Sequence, residues 1–372
     1  MKDLSVSIGS VTLNNPVMTA SGAFGNVKEA TDLVDISKLG AVVPKTITRA
    51  PRQGNAPPRT VETTAGLLNA IGLDNDGLES FLTSKLPYYQ SLPCPVVISF
   101  AGENADDYVS MAQSLELGIR EWGIGNSNSP TAQSGNREWG IGNREWGIGN
   151  REWGIGNSDS PSANLKTTPY SLLPTPSPTA YCLLPTASKG SIIAFEMNIS
   201  CPNVAHGTDF GKDPALCEKL VSSVRKAISM PLFVKLTPNV SDITAIAKAA
   251  QNGGADAVCL INTVLGMAID WKNRRPRLGN RMGGLSGPAI KPIALRMVYQ
   301  VAHAVTIPVI GIGGIETIDD AMEFLVAGAT AIEVGTANFY RPTATMEIVD
   351  ALPAALDVLG ANSVKEIIGS CM

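Results

Sequence analysis

Histidine is almost missing from this chain. Two among 372 residues leave little material for chemistry centred on a histidine base. No uninterrupted apolar run reaches the roughly 18 residues that a membrane helix needs, so no membrane partner is expected. The N-terminus, MKDLSVSIGSVTLNNP, has no basic stretch followed by an apolar one and does not resemble a secretory signal. Six cysteines (94, 182, 201, 217, 259, 371) are scattered without a CxxC pair or a nearby histidine, which leaves zinc and iron–sulfur clusters without a ligand set. The expected setting is the cytoplasm, with the thiols reduced. There is no basic excess either: the net charge is −4, and nothing in that balance calls for nucleic acid as a partner.

What the chain does contain is a repeated unit. Short apolar runs, rich in β-branched residues, alternate with glycine-rich loops and stretches of helical spacing. The runs are VMTAS (17–21), AVVPKTI (41–47), PVVISF (95–100), AFEMNIS (194–200), PLFVKL (231–236), AVCLINT (257–263), PVIGIGG (308–314) and AIEVGT (331–336). Continuous rather than alternating apolar character marks strands buried on both faces. Between them, DITAIAKAAQNGG (242–254), TIDDAMEFLVAGA (317–329) and DDYVSMAQSLEL (106–117) carry helical spacing. Eight such strands point to an α/β fold, a (β/α)8 barrel of the TIM type. A doubly wound sheet is the alternative, but it would want a GxGxxG after the first strand, and ASGAFG matches that poorly.

Residues 118–189 break the rhythm. The heptapeptide REWGIGN occurs at 120–126 and three times in tandem at 137–157, and a Pro/Ser/Thr-rich tract follows. Two glycines in every seven residues argue against a stable helix. The segment is either a small repeat module or a tolerated, disordered insertion within a barrel formed by 1–117 and 190–372. It precedes the fourth strand, a connection on the N-terminal face, whereas such barrels build their sites on the C-terminal face.

The C-terminal ends of the strands carry Ser21, Lys45-Thr46, Ser99, Asn198 to Asn203, Lys235, Asn262-Thr263, Gly313-Gly314 and Gly335-Thr336, with NAIGL (69–73) in the second loop. Glycines on the last two strands suit a phosphate held by backbone N–H groups and a helix N-terminus, although glycine also marks tight turns. Lys45 and Lys235 end apolar strands, where an ammonium needs an anion. That anion is either a buried acid such as Glu196 or Glu333, or a ligand: a reduced flavin edge or a substrate carboxylate. Cys201 in NISCPN is either a small buried hydrophobe or, as a thiolate, a base able to take a proton from carbon. His206 is a weaker rival in the same loop.

These phrases resemble those of the dihydroorotate dehydrogenases, and more narrowly the catalytic subunit of the NAD-linked class 1B type. The carrying segments include NPVMTASGAFG, TTAGLLNAIGL, NISCPNVAHGTDFG, GGLSGPAIKPIALRMVYQV and PVIGIGGI, and they span essentially the whole chain outside 118–189. The resemblance implies FMN held by Ser21, Lys45, Thr46, Ser99, Asn198, Lys235, Ile261, Gly287, Gly313, Gly314, Gly335 and Thr336. It implies dihydroorotate meeting Lys45, Asn69, Ala70, Ile71, Gly72, Leu73, Asn198, Asn203, Asn262 and Thr263, with Cys201 as the base at C5 and hydride leaving C6. Ser99 is a departure, since relatives often place Asn there. The resemblance also implies a second subunit carrying FAD and a 2Fe–2S cluster, and a homodimer within a heterotetramer. Two rivals remain: an enzyme like dihydropyrimidine dehydrogenase, and a non-catalytic barrel disabled by its repeat. A dihydrouridine synthase fits less well, because a tRNA partner calls for a basic surface.

Overall fold

The computed structural model describes residues 2–125, 191–200 and 210–371. Seven parallel strands form one sheet in the order Val17–Thr19, Ala331–Val334, Val309–Ile312, Ala257–Leu260, Leu232–Lys235, Ile192–Asn198 and Val96–Phe100. Every residue in these strands is buried, as the continuous apolar runs required.

The two ends of the sheet are joined by residues 41–47. This segment bridges Met18 through Ala41 on one side, and Val96 and Phe100 through Val42 and Ile47 on the other. It closes the sheet into a (β/α)8 barrel. The run at 41–47 was expected to be a continuous strand, but its pairing is interrupted, because Pro44 has no N–H to give to a ladder. Its neighbours compensate: Val43 N donates to Thr19 Oγ1 at 3.1 Å, and Ile47 N to Ser99 O at 2.9 Å.

The outer helices follow from their caps and spacing. Ile243–Asn252 begins at Asp242, whose carboxylate accepts from Thr244 N at 2.8 Å. Ile318–Val326 starts with a capping box between Thr317 and Asp320. Pro214–Ala227 buries Cys217, Leu220, Val221 and Val224, one face at i, i+3, i+4 and i+7.

Two features depart from the sequence expectation. The helix that begins at Ala105 runs to Gly125, beyond the boundary expected at 118 and through most of the first heptad copy. Tertiary anchoring outweighs glycine's poor helix propensity here. Leu115 is buried, Ile119 packs against the core, and Arg120 reaches Glu116 at 3.1 Å and Ser229 Oγ at 2.8 Å. Glu116 also accepts from Ser229 N and Met230 N, just ahead of the strand at Leu232–Lys235, so this helix end lies at the N-terminal face. The three tandem heptad copies lie outside the described residues. The second departure is a four-stranded antiparallel sheet, in the order Val264–Met267, Met282–Ser286, Gly66–Asn69 and Thr60–Thr63. It joins the second loop to the loop after the sixth strand. No helix among the described residues is long and apolar enough to cross a membrane.

Candidate active site

The first three strand positions end in hydroxyls that find one another. Thr46 Oγ1 lies 2.8 Å from Ser21 Oγ and 2.9 Å from Ser99 Oγ. Ser99, the departure from the expected Asn, is therefore fully engaged in a buried hydroxyl chain. Lys45 immediately precedes Thr46 in the chain. It is half-buried, and among the described residues its Nζ has no hydrogen-bond or carboxylate partner.

Lys235 is the opposite case. Its Nζ lies 3.2 Å from Glu196 Oε2 and 3.1 Å from Glu333 Oε2, all three side chains being buried. The sequence left open whether this lysine meets an acid or a ligand; the acids are there. Burial works against the ammonium, but the charges of Glu196 and Glu333 outweigh it and raise its pKa. Glu333 is pushed up to about 8, by burial first and by the charge of Glu196 second.

At the fourth and sixth strands a chain of amides and hydroxyls fixes two asparagines. Asn262 Nδ2 donates to Ser200 Oγ at 2.5 Å, and Ser200 Oγ donates to Asn198 Oδ1 at 2.7 Å. Asn198 is held from behind, its carbonyl accepting from Tyr108 Oη at 2.8 Å. Asn239 Nδ2 donates to Thr263 O at 3.1 Å. Ser200, Tyr108 and Asn239 were not singled out from the sequence. The LTPN turn was the one signal for Asn239; Tyr108 gives none, because 90 residues separate it from its partner.

The antiparallel sheet carries NAIGL to the same end. Asn69 Nδ2 donates to Gly284 O at 3.3 Å, and a side chain at Gly284 would collide with Thr263. In the loop itself, Asn55 Nδ2 donates to Ala70 O at 2.9 Å, Asn55 N to Ile71 O at 2.9 Å and Asn75 Nδ2 to Leu73 O at 2.7 Å. The carbonyls of Ala70, Ile71 and Leu73 are occupied, while the N–H groups of Ile71, Gly72 and Leu73 have no acceptor among the described residues. Gly72 has φ +81°, and a Cβ there would lie 2.7 Å from Asn55 N, so only glycine fits.

The turns after the last two strands have the same character. The N–H groups of Gly313, Gly314, Gly335 and Thr336 find no acceptor among the described residues. Gly314 has φ +75°, and a Cβ on it would stand 2.9 Å from Gly287 O. Ile261 packs beside Gly313, 3.4 Å from where its Cβ would be. The helix after Thr336, Ala337–Tyr340, is a single turn, so these backbone donors rather than a helix dipole would meet an anion. Cys201, Asn203 and His206 lie outside the described residues.

This end of the barrel is rich in donors, and among the described residues its Lys45 ammonium has no hydrogen-bonded carboxylate, only the longer-range charge of Asp76. The family model for dihydroorotate dehydrogenase matches residues 3–141 and 189–356. The chain belongs to the dihydroorotate dehydrogenase family. A catalytic subunit of dihydroorotate dehydrogenase B (NAD(+)) from Geotalea uraniireducens is 41% identical over 369 residues, covering 99% of this chain and 98% of that protein. Proteins of the same name from Geobacter sulfurreducens and Listeria welshimeri are 42% and 39% identical, with the same coverage. Membership makes the chain an FMN-dependent oxidoreductase of the dihydroorotate dehydrogenase type, and the donor set fits that cofactor. The unfilled N–H groups at Gly313, Gly314, Gly335 and Thr336 suit a phosphate. The hydroxyls of Ser21, Thr46 and Ser99 and the ammonium of Lys235 suit the polar edge of a flavin ring.

Proposed function

We propose that this chain oxidises (S)-dihydroorotate to orotate in the cytoplasm, in the pathway that builds UMP, and passes the electrons to NAD through a partner subunit. The observation that carries this reading is the lone ammonium of Lys45, set at the same barrel end as three unfilled backbone donors in NAIGL and the fixed amides of Asn198 and Asn262. An anionic ring lined with carbonyls and amides needs such partners. A carboxylate pairs with Lys45, and the ring's polar edge meets the amides of Asn198, Asn203 and Asn262.

Bound FMN supplies the hydride acceptor that no side chain can provide. Its phosphate is assigned to Gly313, Gly314, Gly335 and Thr336, and its ring to Ser21, Lys45, Thr46, Ser99, Asn198, Lys235, Ile261 and Gly287. The remaining task for the chain is to take the C5 proton, and Cys201 is assigned that role. As a thiolate in the loop after Ser200, it follows directly on the Asn198–Ser200–Asn262 network, which holds the base of that loop in place.

The electron-transfer partner is assigned FAD and a 2Fe–2S cluster, and a second copy of this chain is expected in the assembly, a homodimer within a heterotetramer. Leu265, Met267, Ile269, Trp271 and Met282 are all exposed along the outer sheet and its continuation, an apolar surface suited to cover by protein. The rival substrate class, uracil or thymine, has no carboxylate for Lys45, which favours dihydroorotate. Cys201→Ala tests the reading. The variant should retain its yellow flavin, while anaerobic reduction by dihydroorotate slows by about 10²–10⁴-fold. Reduction at the unaltered rate would remove Cys201 from the mechanism.

A further inference from the structure

Inside the barrel, beneath the donor-rich end, lies a layer of unusual composition. Such interiors are normally filled by branched apolar side chains. Here Glu196 comes from the fourth strand, Lys235 from the fifth, Cys259 from the sixth and Glu333 from the eighth, all buried. The strands of Lys235 and Glu333 are not neighbours in the sheet, so their 3.1 Å contact crosses the lumen. The carboxylates and the Cys259 thiol lie within 4.8 Å of one another, a spacing that would suit a metal ion, but the Lys235 ammonium already sits against both acids.

Two carboxylates around one ammonium leave a net charge of −1 in a dry space. An uncompensated buried charge is costly, and two close carboxyls relieve it by retaining a proton between them. One atom marks where that proton belongs. Among the described residues, Glu196 Oε1 is buried and has no hydrogen-bond partner, although Oε2 of the same group is paired with Lys235. The Cys259 thiol beside Glu196 is only a weak donor; an ionised Glu333 offers none, and a protonated one offers a strong one.

We propose that Glu196 and Glu333 share one proton across the barrel lumen and act as positioning residues, holding Lys235 charged in a neutral three-residue unit below the flavin-binding end. Its significance for catalysis rests on the proposed function: with the pair singly protonated, Lys235 presents its ammonium to the flavin edge from a unit with no net charge. Losing the shared proton would add a full negative charge beneath that edge and make the flavin harder to reduce. The upward displacement of Glu333 to about 8 agrees with a proton retained at neutral pH.

Three measurements on the full chain test this. In the flavin-free protein at about pH 6.5, where an ordinary glutamate is ionised, infrared spectra should show the carbonyl band of a buried carboxylic acid. That band should fade as pH rises through about 8 and be absent in both Glu333→Gln and Glu196→Gln. Its absence from the unaltered chain, or its persistence in both variants, would overturn the proposal. Thermal melts supply the second test. Because the folded state keeps a proton that the unfolded chain releases near 4.5, stability should fall as pH rises from about 4.5 to about 8 and then level off.

Glutamine mimics the protonated acid, so each single variant should lose that slope and melt within about 2 °C of the unaltered chain at about pH 6.5. The double variant E196Q/E333Q, which strands the ammonium, should melt about 5–10 °C lower. Single variants as unstable as the double would show two ionised acids, each needed, and overturn the proposal. If one variant fails to fold, the other and the infrared titration still decide. In protein loaded with FMN, the midpoint potential should fall more steeply above about pH 8 in the unaltered chain than in Glu333→Gln, and parallel profiles would contradict the coupling to the flavin. A chain that takes up no FMN would fail the proposed function while leaving the first two measurements able to judge the pair.

Discussion

Lys45 and Lys235 look alike in the sequence, each a lysine closing an apolar run, yet the fold gives them opposite surroundings. Lys235 is sealed between two carboxylates, its charge answered from within the barrel. Lys45 is half-buried and has no hydrogen-bonded partner among the described residues, only the longer-range charge of Asp76, although the neighbouring Thr46 hydroxyl is paired on both sides. An ammonium answered internally serves structure and sets a local field. One left unanswered beside free backbone donors is available to a ligand. The lesson is that charge in a site is judged by what already pairs with it, and the sequence names the charge without naming the pairing.

Removing each lysine should sharpen that contrast. Lys235→Ala is expected to have the larger effect on the fold, destabilising it by about 3–5 kcal/mol, because it leaves buried carboxyls without their counter-ion. That cost should shrink as pH falls below about 8, where Glu333 takes up a proton and less buried charge is left unanswered. Denaturant melts at two pH values measure it, and a loss under about 1 kcal/mol would mean that the two acids do not depend on the lysine. Lys45→Ala should change stability by no more than about 0.5 kcal/mol, as a partly exposed side chain with no partner. Its cost should appear instead in the substrate concentration needed for flavin reduction, raised by about 10²-fold through the loss of a charge-assisted contact. Equal effects of the two substitutions on stability would break the comparison.

Much of the barrel was legible in the sequence. Seven of the eight apolar runs are strands, and the helices at 242–254 and 317–329 begin at their capping residues, because burial on both faces and N-capping leave direct marks in composition. The second strand was misjudged in its regularity, because pattern does not weigh a single Pro44. The helix through Arg120–Gly125 was missed because glycine content argues locally, while Glu116, Ser229 and the core act at a distance. The antiparallel sheet was invisible for a related reason. GLLN at 66–69 is too short and too poor in β-branched residues to read as a strand, and although one partner, Thr60–Thr63, is adjacent, the other lies more than 200 residues away. In the site, residue types at strand ends were legible; the hydroxyl chain, the role of Ser200 and the support from Tyr108 were not, since each depends on pairing between strands.

The decisive measurement is anaerobic. The chain is expressed alone and checked for bound FMN, and dihydroorotate is added while the flavin absorbance is followed, with 5,6-dihydrouracil, the same reduced ring without the carboxylate, as the control. Prompt bleaching by dihydroorotate and none by 5,6-dihydrouracil is the expected result, and would show that the donor-rich barrel end binds and oxidises a carboxylate-bearing ring. A yellow protein that dihydroorotate leaves unchanged would contradict that assignment.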